Sequence, residues 1–242
     1  MELIEIRNVS TSFDGVSVLR GVNLTVEKGM TAAILGTSGA GKSVLLKSII
    51  GLITPDSGSV RIDGKEIVGM KSKDLYAVRR RMGYLFQGAA LYDSMSVRSN
   101  LEFALRRRGA LDEDEMERRV EEQLRLVGLA DAIDKMPAQL SGGMRKRIGL
   151  ARALITRPEV MLYDEPTTGL DPVTGREISE LIQDLQQQHA MTSIAVTHDI
   201  ACARIIADRV AVLNKGVICF EGTLDATEHA DDTFVKQFFA LG

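Results

Sequence analysis

The stretch "GTSGAGKS", Gly36 to Ser43, decides the fold. It has the spacing G-x-x-x-x-G-K-[ST]. Before it runs "TAAIL", Thr31 to Leu35, apolar enough for a buried central strand. After it, Val44, Leu45, Ile49 and Leu52 are apolar while Lys47 and Ser48 are not, which is a helix pattern. A strand that hands over to a helix through glycines is a built anion site. The glycines let consecutive N–H groups of Gly36, Thr37, Ser38, Gly39, Ala40, Gly41, Lys42, Ser43 and Val44 face phosphate oxygens, and the helix adds its positive N-terminal dipole. Lys42 supplies a flexible point charge to the outer phosphates, and Ser43 offers a hydroxyl to Mg²⁺. The flanking strand and helix separate this pattern from a glycine-rich turn.

Working outward, strands precede the loop in "LIEIRNV" and "GVNLTVEKG". Beyond the helix, Pro55 to Gly58 reads as a turn, "SVRIDGKEI" as a hairpin around Asp63-Gly64, and "MGYLF" as a buried strand ending at Gln87. From about Ser96 to Pro137 the texture changes to dense charge and strong helical propensity, with no strand signal. That segment reads as helices inserted into an α/β body. Its charge run, Asp112 to Glu122, fits a solvated helix face with mixed-sign pairs, with an interaction surface as the other reading. Then come "EVMLYDEP" as a strand, "TGREISELIQDLQQQ" as a helix, "TSIAVTHD" as strand and turn, "RVAVLNKGVICFEG" as a hairpin, and a last short helix with Phe234, Phe238 and Phe239. Alternating strands and helices imply a mostly parallel sheet with its ligand at the strands' C-terminal ends.

The totals fit this class. The chain has 242 residues, 45% hydrophobic and 26% charged, enough to bury a sizeable core. No apolar run is long enough to span a membrane, and "MELIEIRNVS" reads as a strand rather than a signal peptide. A net charge of -3 gives no electrostatic case for nucleic acid. Cys202 and Cys219 fit a reducing compartment.

"VMLYDE" places Asp164 and Glu165 at the end of an apolar strand. An Asp there suits Mg²⁺ beside a phosphate loop, and the carboxylate directly after it is placed to polarise an attacking water. Adjacent carboxylates also occur as helix caps, which Pro166 would suit; the apolar strand before them favours the catalytic reading. Gln87 could reach metal or water with its amide oxygen. His198 ends another apolar strand, "SIAVTH", and could hold the terminal phosphate. His189 and His229 lack such a setting and read as structural. There is no Cys/His metal cluster and no Ser/His/Asp grouping. "NKGV", Asn214 to Val217, lacks the aspartate of a guanine reader, which excludes a guanine-nucleotide switch.

With these residues in place, the chain resembles the ATP-binding subunit of an ABC (ATP-binding cassette) transporter. The elements stand in that family's order: Phe13 in "TSFDG", then "GTSGAGKS", "LFQ", "LSGGM", "VMLYDEP", "TGLD" and "THD". The resemblance implies a single ABC ATPase domain over residues 1–242, of the P-loop NTPase α/β class. Residues 1–95 and 156–242 would form a RecA-like core with an antiparallel N-terminal β-subdomain, and about 96–155 a helical subdomain. It implies ATP and Mg²⁺ as ligands: Lys42, Gln87, Glu165 and His198 for catalysis, Ser43, Gln87 and Asp164 for the metal, Phe13 stacked on adenine. It further implies a head-to-tail homodimer in which Ser141, Gly142, Gly143 and Met144 cap the partner's ATP, with Leu170 and Asp171 at the seam. Arg145, Lys146 and Arg147 would crowd cations at a helix N-terminus, to be offset by phosphate or carboxylates, or to splay into solvent. Some relatives run on in a tail that touches the second subunit; a sequence that ends at Gly242 speaks against that contact.

Met144, where Gln is usual, "LYDEPTTGLDP" and "LFQGAALYDSMSVRSNLEFAL" together resemble the ATPases of Mla/Mce-type phospholipid transport systems (the MlaF type). That implies work at the cytoplasmic face of a bacterial inner membrane with an MlaE-like permease, an MlaD-like MCE lipid-binding protein and, in some systems, an MlaB-like STAS partner. "GAALYDSMSV", Gly88 to Val97, falls where the family meets its permease. The alternatives are an ABC ATPase for another cargo (amino acid, lipoprotein or drug), and a soluble ABC ATPase of translation or DNA repair. The latter usually has two cassettes or a long coiled-coil insertion, and neither is visible.

Overall fold

The computed structural model describes residues 1–107, 109 and 111–240. Arg108, Ala110, Leu241 and Gly242 lie outside them, so the helical run read from Ser96 to Pro137 is described in two parts and the tail question at Gly242 not at all. In chain order the elements are β1 (Glu2–Phe13), β2 (Val16–Glu27), β3 (Thr31–Leu35), α1 (Lys42–Ile49), β4 (Ser57–Ile62), β5 (Lys65–Glu66), α2 (Ser72–Arg79), β6 (Met82–Leu85), α3 (Val97–Arg106) and α4 (Glu113–Leu126). They continue with α5 (Gly142–Leu154), β7 (Val160–Asp164), α6 (Pro172–His189), β8 (Thr192–Thr197), α7 (Ile200–Ile206), β9 (Arg209–Asn214), β10 (Val217–Gly222), α8 (Leu224–Glu228) and α9 (Thr233–Ala240).

The strands form two sheets. One is antiparallel, β2-β1-β4-β5; the other runs β10-β9-β3-β8-β7-β6 and is parallel except for β10. Every residue of β3, β7 and β8 is buried. That is why their centres, AAIL, VMLY and IAV, carry no alternation with charged residues: helices and the first sheet cover both faces. The three strands are adjacent and parallel, so Leu35, Asp164 and Thr197 end at one edge, and the loops that follow them meet there.

The first hairpin is longer than its sequence suggests. A reading by alternation stops β1 near Val9, because Asn8 and a run of Ser and Thr interrupt the apolar residues. The ladder instead passes through irregular pairing on either side of Val9, with Asn8 at φ 50°, and resumes to Phe13. Asp14 and Gly15, both at positive φ, then make the tight turn. Phe13 is thus the last residue before a hairpin tip and is 45% exposed. By contrast, β6 is shorter than expected. It stops at Leu85, opposite Tyr163, because it is the sheet's edge and its one neighbour ends its pairing there; Gln87 lies two residues into the loop. Helices α2, α7 and α8 carry too little periodicity to be anticipated.

Helices α3, α4 and α5 share a core of their own, with Val97, Leu101, Met116, Val120, Leu124, Ile148 and Ala151 buried together. On the outside of α4, Glu115 pairs with Arg118 and Arg119 at 2.7 Å each, the mixed-sign solvated face expected of the charge run. Among the described residues no helix is long and apolar enough to cross a membrane.

Candidate nucleotide site and the family of the chain

Three parallel strands aim their ends at one place. The turn after β3 wraps Gly36 to Gly41 in front of α1. Gly41 sits at φ 105°, and a side-chain carbon there would lie 2.9 Å from Leu19 and 3.1 Å from the Val18 carbonyl. Only glycine meets both demands, so the first hairpin leans directly on the loop. Lys42 is 6% exposed; its ammonium donates to the carbonyls of Gly36 (2.7 Å) and Thr37 (3.2 Å) and pairs with Glu165 Oε1 at 3.1 Å. Ser43 Oγ donates to Asp164 Oδ1 at 2.8 Å.

The end of β7 is held as tightly. Asp164 Oδ2 accepts from Tyr84 of β6 at 2.9 Å. Burial and the adjacent carboxylate push the Tyr84 phenol well above its ordinary range, so it stays a donor. Glu165 has left-handed backbone, φ 50°, which costs a non-glycine residue about 1–3 kcal/mol. Three contacts fix it: its N–H donates to the Val196 carbonyl (2.9 Å), and its carbonyl accepts from Thr168 N–H (3.3 Å) and from Lys146 Nζ (2.9 Å). Its carboxylate faces Lys42 on one oxygen; on the other it meets His198 Nδ1 at 2.8 Å and the Thr168 hydroxyl at 3.1 Å. Gln87 lines the same cleft, of about 420 Å³, with Val18, Ser38, Lys42, Ser43 and Glu165.

The sequence reading of this site therefore comes together in space for Lys42, Ser43, Gln87, Asp164, Glu165 and His198. The donors facing a metal there, a serine hydroxyl, a carboxylate and an amide, are all oxygen. That suits Mg²⁺, which takes one or two protein ligands and completes its shell with phosphate and water. Among the described residues no group of three or more His, Cys, Asp and Glu gathers as a dedicated metal cage. His189 lies at the far end of α6 and His229 after α8, away from this edge.

The second glycine-rich segment behaves differently. Ser141 caps α5, its hydroxyl accepting from Met144 N–H at 3.2 Å. Gly142 and Gly143 form the first turn, packed so closely that a side-chain carbon on Gly143 would lie 2.6 Å from Thr174. Among the described residues none of Ser141, Gly142, Gly143 and Met144 lines the cleft around Lys42. The Met144 side chain packs, half-buried, against the core of α3, α4 and α5. Asp171 caps α6, accepting from Val173 and Thr174 N–H at 3.1 and 3.0 Å and from the Thr174 hydroxyl at 2.6 Å; these bonds hold its carboxyl below the usual range.

The three cations after the glycines differ: Arg147 is offset by a carboxylate, Lys146 is buried, and Arg145 stays exposed. Arg145 returns to the Leu140 carbonyl, Arg147 pairs with Glu177 at 2.9 Å, and Lys146 turns inward to Glu165. Burial pushes the Lys146 ammonium down to about 8, against the pull of Asp164 and Glu165. Lys146 and Tyr84 were not picked out as site residues from sequence. A lysine one turn into a helix and a tyrosine in an apolar strand carry no local signal.

Comparison with known proteins accords with this geometry. The family model described as "ABC transporter" matches residues 19–168. The probable ribonucleotide transport ATP-binding protein mkl of Mycobacterium tuberculosis is 42% identical over 235 residues, covering 97% of this chain. This chain spans 66% of that relative's length. The methionine import ATP-binding protein MetN of Corynebacterium diphtheriae is 39% identical over 240 residues, 97% of this chain and 70% of its own. Two solved structures superpose closely. One is the dimeric post-hydrolysis state of the ATP-binding cassette MJ0796 bound to ADP and Pi, with TM-score 0.85, 33% identity, and 92% and 99% of the two chains covered. The other is cbiO1 of Clostridium perfringens, part of the cbiONQ transporter complex, with TM-score 0.86, 31% identity, and 99% and 96% covered. The chain therefore belongs to the ABC transporter family and is one of its ATP-binding ATPase domains.

Proposed function

We propose that this chain powers a membrane transporter by hydrolysing ATP between two copies of itself arranged head to tail. The observation that carries the proposal is the convergence of Lys42, Ser43, Asp164, Glu165 and His198 on one sheet edge, with the Ser141 segment excluded from it. In this reading the loop from Gly36 to Val44 cradles the phosphates, Phe13 stacks on the base, and Lys42 neutralises the outer phosphates. Phosphate oxygens compete with Glu165 for Lys42, and the freed carboxylate takes a proton from the attacking water. His198 holds the terminal phosphate from the far side. Ser43, Asp164 and Gln87 would hold Mg²⁺, which neutralises charge on the phosphates when bound. Ser141, Gly142, Gly143 and Met144, together with Asp171, complete the partner's site. The helical body of residues 96–155 would swing against the 1–95 and 156–242 core as the pair closes.

Closure requires ATP to bind the closed pair better than the open one. A Glu165→Gln variant keeps the shape of the side chain but loses the base, so it should accumulate as an ATP-loaded dimer on gel filtration and turn over slowly. A variant that hydrolyses at the parent rate contradicts the base assignment.

The partner is a transmembrane permease, and the chain works peripherally at the cytoplasmic face of a bacterial inner membrane. For the cargo, the names of the relatives, ribonucleotide transport and methionine import, support uptake of a small polar solute better than phospholipid transport. Phospholipid transport of the Mla/Mce type, with MlaE-like, MlaD-like and MlaB-like partners, is the second reading. Met144 and the segment Gly88 to Val97 favour it. Purifying the chain from detergent-solubilised membranes with its bound proteins separates the two. A solute-binding protein beside the permease supports the first, and an MCE protein with bound phospholipid supports the second.

A further inference from the structure

One helix touches three functional loops. Helix α5 begins at the Ser141 cap. One turn in, its Lys146 donates to the Glu165 carbonyl at 2.9 Å. Near its end, Arg152 donates to the carbonyls of Ala90 (2.8 Å) and Ala89 (3.0 Å) in the loop after Gln87, and stands over the Tyr92 ring at 5.8 Å. Ser141 and Arg152 are about 16 Å apart at a rise of about 1.5 Å per residue.

The contact at Lys146 is a costly one to build. The side chain is 5% exposed, and it ends on a main-chain carbonyl rather than on a carboxylate. A buried cation is unfavourable unless it is paired or hydrogen-bonded. What it does there is specific. Glu165 holds a backbone conformation that a glutamate leaves readily, and Lys146 is the side chain that grips its carbonyl. Rotation of that peptide would swing the carboxylate away from Lys42 and His198. We propose that Lys146 is a positioning residue for hydrolysis, which fixes the aim of Glu165 and ties it to the helix whose N-terminus caps the partner's nucleotide. Motion of α5, whether started by the partner's ATP at Ser141 or by a permease at the loop after Gln87, is then felt at this chain's own glutamate.

The inference rests on Glu165 as the base, so the test is a cycle on the full-length chain: parent, Lys146→Met, Glu165→Gln and the double variant. Methionine matches the length of lysine and suits burial but cannot donate. Lys146→Met should lower kcat for ATP by about ten- to a hundredfold, the scale of a misaimed catalytic group. Its KM and its nucleotide affinity should stay within about twofold, since Lys146 does not line the cleft. On the Glu165→Gln background the same change should cost less than about twofold, because nothing remains to aim. Equal losses on both backgrounds, or a parental kcat in Lys146→Met, would overturn the proposal. If Glu165→Gln itself kept the parental rate, the base assignment would fail instead. Should Lys146→Met not fold, Lys146→Gln is read in the same cycle with the same criteria.

Discussion

Two glycine-rich segments open helices in this molecule, and they differ in what stands before them. The loop from Gly36 to Ser43 faces its own chain's chemistry: Asp164 accepts from its serine, Glu165 pairs with its lysine, and His198 meets Glu165. The segment from Ser141 to Gly143 faces outward. Its hydroxyl satisfies its own helix, its first side chain after the glycines is tucked into a core, and the nearest cations are engaged elsewhere. One gathers the side chains of a nucleotide site; the other is a capped helix N-terminus away from that cleft. Similar local sequence thus serves different ends because the parallel sheet places strand ends behind the first loop only.

The comparison can be broken most sharply at Glu165. Replacement by Gln should slow hydrolysis by about 10²–10⁴, the usual worth of a positioned general base, with nucleotide affinity retained. Next, Ser141→Arg should stop hydrolysis by the pair by about a hundredfold or more, while equilibrium binding of nucleotide to the single chain stays at the parent value. An equal loss of binding would place Ser141 in its own chain's site. Gly143→Ala should lower the unfolding free energy by about 1–3 kcal/mol, read as a lower midpoint in urea, because the new methyl would press on Thr174. The smallest effect concerns the cysteines. Cys202 is buried with its thiol pushed up to about 12, so iodoacetamide at pH 8 should label the exposed Cys219 and leave Cys202 unmodified until denaturant is added.

What could be read from sequence followed the strength of local signals. Short apolar runs marked β3, β7 and β8, and the glycine spacing marked the loop between β3 and α1. Their shared edge then placed Lys42, Asp164, Glu165 and His198 together. What stayed hidden depended on long-range pairing. Tyr84 is a site residue only because β6 pairs with β7, and Lys146 only because α5 packs beneath the end of β7. The extension of β1 to Phe13 needed its partner strand to carry the ladder past Asn8. Met144 carries no sign in the sequence that its side chain packs against the core of α3, α4 and α5 while its N–H closes the Ser141 cap.

The central claim is that a working site takes its first loop from one chain and its second from another. It is tested most directly by mixing two inactive chains, one carrying Lys42→Ala and the other Ser141→Arg. A head-to-tail pair of these holds one wholly defective site and one wholly intact site. ATP hydrolysis by the mixture should rise clearly above the sum of the two variants measured alone. A mixture no more active than that sum, while forming mixed pairs, would contradict the account.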